Sequence, residues 1–219
     1  MQASGPTLRL VVRRAGGIYV TSHRGLHTYD GVRWSLTPTL FDFLALAEDA
    51  GGNLAGLDRR GHLWWRTAGA ADWQERATPA MIGEVRDLAS TSDGRLLLGG
   101  SGGVFELNAD AVGAALGGVS APQAFTVIKI AKSGTVWAGG EDGRVYGWTS
   151  AAGWHGYDVP GWDGGRIRSI GEDARGRIWV GGDNGRVGVG NERQPFTRWT
   201  PATGLKASAV TAIAGDPTG

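Results

Sequence analysis

His23, His27, His62 and His155 are the side chains of this 219-residue chain best suited to moving a proton near neutral pH. Their spacing assembles no metal site, since neither H-E-x-x-H nor H-x-H occurs. Serines are present, but the G-x-S-x-G elbow that presents a nucleophile is missing, and so is a phosphate-cradling glycine loop. Cysteine is absent, which removes thiolate chemistry and disulfides and leaves the compartment open. The adjacent carboxylates Glu141 and Asp142 remain as acid–base candidates, and they can work with His23 only where the fold joins distant segments. No catalytic residue, metal or cofactor is assigned on these grounds.

Polar side chains of another kind stand at a recurring phase. His23-Arg24, Asp58-Arg59-Arg60, Ser101-Gly102, Glu141-Asp142 and Asp183-Asn184 each run directly into a glycine: Gly25, Gly61, Gly103, Gly143 and Gly185. Nine residues before each of these lies another glycine: Gly16, Gly52, Gly94, Gly134 and Gly176, with Gly219 at the same phase again. Consecutive members of that series are 36, 42, 40, 42 and 43 residues apart. Between the two glycines runs a short strand-type stretch, clearest as Val136-Trp137-Ala138 and Ile178-Trp179-Val180. Asp49, Asp93 and Asp173 stand just ahead of the first glycine, where an Asp side chain caps a tight turn. An aromatic closes the unit as Trp34, Trp73, Trp154 and Trp199, with Leu116 in the third copy.

Strand-sized pieces repeating about every 40 residues with a phased Trp predict an all-β propeller of four-stranded antiparallel blades. The expected blades cover 7–38, 41–79, 85–122, 125–160 and 166–203, within a single domain over 1–219. Residues 209–219 read as the first strand of a sixth blade, so an incomplete wheel truncated at the C-terminal end is expected. Helix is expected to be almost absent, apart from one turn in the Ala-rich stretch 108–116. Pro38, Pro79, Pro122 and Pro160 fall at the ends of units, where a missing N–H breaks no ladder. Trp137 and Trp179, at identical phase, are expected to be mostly buried between blades.

Composition agrees with a packed repeat. Ten Trp and 41% apolar residues accompany 39 Gly, which excludes a disordered or purely flexible chain. Charge is nearly balanced at +1, with no basic stripe, so neither nucleic acid nor direct membrane contact is expected. The start of the chain, MQASGPTLRLVVRRAGG, has no apolar export core, and no run of about 20 apolar residues follows.

Two stretches carry a resemblance to a known family. Leu26-His27-Thr28-Tyr29-Asp30-Gly31-Val32-Arg33-Trp34, after Gly25, resembles the GL..YDG..W half of two-component-regulator propeller repeats. Glu172-Asp173-Ala174-Arg175-Gly176-Arg177-Ile178-Trp179-Val180-Gly181-Gly182 resembles the ED..G.IW.G half. The resemblance implies a sensor region of a bacterial signalling protein, one piece of a longer polypeptide, often ahead of a membrane span and a histidine kinase. It implies a periplasmic or extracytoplasmic place; the N-terminus taken literally implies the cytoplasm.

In a propeller, the turns joining second to third strands meet the between-blade linkers at one face of the wheel. The ligand-binding set expected there is His23, Arg24, Asp58, Arg59, Glu141, Asp142, Trp162, Asp183 and Asn184, facing a small ligand or a protein. A non-enzymatic binding module is the favoured function. The alternative is a streptogramin-lyase-like lyase or hydrolase with a polar site over the central channel.

Overall fold

The computed structural model describes residues 10–13, 16–22, 24–39, 42–108, 111–118, 124–183, 185–199 and 209–215. Five antiparallel sheets of four strands follow one another along the chain. Blade one holds β1 (Leu10–Val12), β2 (Ile18–Ser22), β3 (Gly25–Tyr29) and β4 (Trp34–Thr37). Blade two holds β5 (Phe43–Glu48), β6 (Leu54–Asp58), β7 (Leu63–Arg66) and β8 (Gln74–Arg76). Blade three holds β9 (Val85–Ser90), β10 (Leu96–Gly100), β11 (Gly103–Leu107) and β12 (Val112–Ala115). Blade four holds β13 (Phe125–Ile130), β14 (Val136–Gly140), β15 (Val145–Thr149) and β16 (Gly153–Tyr157). Blade five holds β17 (Ile167–Glu172), β18 (Ile178–Gly182), β19 (Val187–Gly190) and β20 (Thr197–Trp199). Among the described residues the only helical element is the 3-10 turn Ala80–Ile82. This is an all-β propeller, with the first strand of each blade innermost around a central cavity.

The Ala-rich stretch does not form the expected helical turn. Val112 pairs with Leu107 and Ala115 with Phe105, so Val112–Ala115 completes the blade-three ladder. An open sheet edge satisfies the backbone of a whole strand, which one helical turn cannot match. Leu116, standing where other copies carry Trp, is buried between blades three and four, and its carbonyl accepts the Trp154 indole N–H at 2.8 Å.

Blades are joined face to face by apolar side chains. Trp137 is 1% exposed and packs with Ile167, Ile178 and Val180 of the next blade, and with Phe196 and Tyr157. Room for it comes from glycine: a Cβ on Gly147 would lie 3.2 Å from its ring. Trp179 is only half-buried, contrary to expectation. Its neighbour on the far side is not a four-stranded blade but the segment 209–215, and its ring meets Trp199, itself 41% exposed, at 5.8 Å. The equivalent outer aromatic of blade one, Trp34, is 56% exposed and leans on Tyr29 at 5.1 Å.

Residues 209–215 stand to blade five as β17 stands to blade four, without a strand of their own among the described residues. Ala209 bridges Asp183, and Val210 N–H donates to Gly182 at 3.0 Å. Ser169 Oγ–H donates to the Val210 carbonyl at 3.0 Å, as Thr126 Oγ1–H donates to the Ile167 carbonyl one blade earlier. Residues 216–219, including the glycine that continues the repeat, lie outside the described residues.

Candidate functional site at the turn face

Each innermost strand except β1 begins with the same irregularity. Phe43 pairs with Asp58 and Ala45 with Leu57, leaving Leu44 out of the ladder. Arg86, Thr126 and Arg168 are skipped in the same way in blades three, four and five. A β-bulge of this kind bends the strand and re-aims the extra side chain. Here it takes Arg86, Thr126 and Arg168 out of the ladder at the strand end where the linkers arrive, and Arg168 lines the cavity.

Linkers and turns are tied to each other by a repeated main-chain bond. The N–H groups of Arg59, Ser101, Glu141 and Asp183 donate to the carbonyls of Asp42, Glu84, Ala124 and Arg166 at 3.2, 3.0, 3.0 and 3.4 Å. The backbone of this face is therefore fixed, and the side chains it carries differ from blade to blade. Arg59 pairs with Asp42 at 3.5 Å. Arg86 reaches Glu84 at 2.9 Å and, across the seam to blade four, Glu141 at 2.7 Å. Partial burial alone pulls the Arg86 guanidinium down, but its bond with Glu84 and the Glu141 charge hold it above its ordinary value. Arg144 pairs with Asp158 at 2.8 Å. Asp183 receives a short bond from Arg168 and has Arg166 at 3.8 Å; the Arg168 bond leads in keeping its carboxyl below the usual range.

The structure separates the expected site residues into three groups. Arg24, Arg59, Glu141 and Asp183 stand on the rim, the last three in ion pairs. Asp58 and Trp162 build the face from inside, and Asp142 is an exposed cap of its turn. Asp58 is buried, and its carboxylate accepts from Arg60 N–H at 2.8 Å, His62 N–H at 2.9 Å and Trp64 Nε1 at 3.0 Å. Burial works to raise its pKa, yet these donors outweigh it and the group sits below its ordinary value. Asp142 accepts from Arg144 N–H at 3.0 Å and from the Tyr146 hydroxyl at 2.6 Å. Burial, then that carboxylate, pushes the Tyr146 phenol up to about 12. Trp162 is buried against Gly143 and Gly182, with its indole N–H on the Gly165 carbonyl at 2.8 Å. His23 and Asn184 lie outside the described residues.

Two features were not marked as site residues by sequence. Arg86 is the ion-pair centre of the blade three–four seam, and its signal is the phase it shares with Arg168 at the second position of an innermost strand. Ser22 Oγ lies 2.9 Å from His27 Nε2. That contact matches a nucleophile–base pair in distance, but Ser22 Oγ also accepts Arg24 N–H at 3.1 Å, the turn-capping role that Asp58 plays in blade two. No carboxylate orients the ring among the described residues, nor do three or more His, Asp or Glu converge as a metal group.

Residues 161–184 match the family model described as two component regulator propeller. Blade five opens with a two-component-regulator propeller repeat. The match takes in the loop around Trp162, the bulged β17, the Asp173 turn, β18 and the rim carboxylate Asp183. No curated protein matches the chain. Among solved structures, a streptogramin B lyase superposes with a TM-score of 0.73 at 15% identity, over 94% of this chain and 71% of that one. Virginiamycin B lyase from Staphylococcus aureus gives 0.75 at 12% identity, over 98% and 75%. The extracellular domain of a candidate one component system from B. thetaiotaomicron gives 0.63 at 14% identity, over 97% of this chain and 36% of that one. At such identities the likeness is one of fold, and the same wheel occurs in lyases and in an extracellular domain. No helix among the described residues is long and apolar enough to cross a membrane.

Proposed function

We propose that this two-component-regulator propeller is a non-enzymatic binding module, the sensing part of a signalling protein, and that it recognises its ligand or partner with the turn face. The observation carrying this reading is the contrast on that face between a repeated main-chain scaffold and a non-repeating set of charges. The four turn–linker bonds recur blade after blade, while the groups mounted on them run Arg59–Asp42, Arg86–Glu84–Glu141 and Arg166–Arg168–Asp183. Rim ion pairs that are half in water add little to stability, about 0–1 kcal/mol each, so the fold does not require them. Their use is to present donors and acceptors in fixed places.

The test is a thermal-shift screen of the 219-residue chain against neutral sugars, amino acids and small carboxylates, repeated on Arg86→Ala with Asp183→Ala. A shift present in the parent and lost in the double variant, whose own melting point stays within a few degrees, supports the reading. A shift untouched by both changes places recognition elsewhere, and chemical conversion of the ligand by the protein overturns the non-enzymatic assignment.

A further inference from the structure

The central cavity holds a second feature, distinct from the rim. Its volume is about 370 Å³, within the size range of small-molecule sites, and its wall is drawn from the innermost strands of all five blades and from 211–213. The exposed surface of that wall is more polar than apolar, with Asp87, Ser90, Lys129, Arg168 and Ser169 among its residues. At one level the registers place four equivalent residues side by side: Ala47 opposite Ala55, Ala89 opposite Leu97, Lys129 opposite Trp137 and Gly171 opposite Trp179. Three of the four are as small as side chains come. The fourth is a lysine.

Lys129 lines the cavity, and none of the described residues pairs with its ammonium. The charged residues in the wall are Lys129, Arg168 and Asp87. Asp87 is committed to the scaffold: it is buried and accepts the Leu88 and Ile128 N–H groups, both at 3.0 Å, the second across the seam to blade four. Arg168 is committed to Asp183. Lys129 is thus the cavity's unspent charge, with Ser90 contributing a hydroxyl to the same wall.

From this arrangement we infer that the cavity binds a small monocarboxylate, its carboxylate on the Lys129 ammonium and its hydroxyls toward the serine and strand-edge groups. An ammonium meeting a carboxylate makes a charge-assisted bond, stronger than one between neutral groups. One unpaired ammonium matches one carboxylate, and a phosphate dianion would bring a second negative charge beside Asp87.

The experiment is calorimetric titration of the 219-residue chain with sodium glycerate, sodium acetate and inorganic phosphate at constant ionic strength. Saturable binding of glycerate at one site is expected, tighter than acetate and phosphate. Lys129→Met should weaken it at least about tenfold, while Lys132→Met, on the exposed turn that follows, leaves it unchanged. Should Lys129→Met fail to fold, Lys129→Gln and the Lys129 13Cε resonance of the parent give the same reading, the resonance shifting as glycerate saturates. The inference is overturned by glycerate binding that survives loss of Lys129, by tighter binding of phosphate, or by no saturable heat with either carboxylate. The rim double variant Arg86→Ala with Asp183→Ala should still bind glycerate within a few-fold, which separates this site from the turn face.

Discussion

Replacing Asp173 by Asn is a direct test of how one repeat turn holds a blade. Its Oδ1 accepts the N–H groups of Arg175 at 2.9 Å and Arg177 at 3.0 Å, and Oδ2 accepts Arg177 Nε at 2.7 Å and Trp179 Nε1 at 2.9 Å. The side chain is 17% exposed, so water cannot replace these donors freely. Asn keeps one carbonyl oxygen for the two main-chain donors, but its NH₂ then faces two further donors, and that half of the turn has no acceptor. With bonds to a charged acceptor contributing about 1.5–3 kcal/mol each, a net loss of about 2–4 kcal/mol at pH 7 is expected. Acid supplies an independent reading. Burial works to raise the Asp173 pKa, but the Trp179 and Arg177 bonds prevail and hold it at about 2, below its ordinary 3.8. A depressed carboxyl stabilises the fold fully above 3.8, and this contribution fades as pH falls from 3.8 through about 2. The gap is equivalent to about 2 kcal/mol. Urea unfolding followed by Trp fluorescence, on parent and Asp173→Asn at several pH values, gives the stability difference directly. It should be flat from about pH 7 to 5 and shrink by about 2 kcal/mol towards pH 2. Asp58, Asp93 and Asp183 also titrate below their ordinary values, but they are common to both proteins and cancel. A difference that stays constant or grows on acidification refutes the reasoning, as does a variant as stable as the parent at pH 7.

Trp137→Ala should destabilise by about 3–5 kcal/mol, and Trp179→Ala by about half as much, since only the first ring is enclosed by two full blades; denaturation midpoints decide. Gly139→Ala should cost about 1–3 kcal/mol, because its Cβ meets Ile167 at 2.6 Å and Val127 at 2.8 Å in the seam between blades four and five. Gly134→Ala, with open space around it but φ at 88°, should cost only about 1 kcal/mol, measured in the same way. Glu141→Gln should move stability by less than about 1 kcal/mol, since its ion pair with Arg86 is part-exposed.

The wheel was legible because each repeat prints its turns twice. Gly25, Gly61, Gly103, Gly143 and Gly185 all take positive φ, and the strands fall between the two glycine series. What escaped the sequence was set by neighbours in space. Trp137 and Trp179 share a phase, yet one is enclosed and the other half-open, because burial depends on what the next segment builds. Asp93 looked like a turn cap, but the capping position in blade three is Thr91, whose Oγ1 accepts Arg95 N–H at 2.8 Å as Asp49 accepts Asn53 N–H in blade two. For the candidate site, sequence marks residues by their turn phase, and only the structure sorts them by burial. Asp58 and Trp162 are polar or amphipathic residues at the expected place, but burial and satisfied hydrogen bonds turn them inward. Arg86 was hidden because a residue within a strand run reads as ladder, and only the paired register reveals that it is skipped.

That skipped position has a consequence for how such wheels diversify. A residue outside the ladder exchanges no main-chain bonds with the neighbouring strand, so its identity is not policed by pairing. In four consecutive blades it is Leu, Arg, Thr and Arg. Each of these four blades thus offers one position outside the ladder whose side chain is free of the pairing that fixes its neighbours. The ladder then leaves the residue type at that position to the contacts it makes across the seams, as Thr126 and Arg86 do.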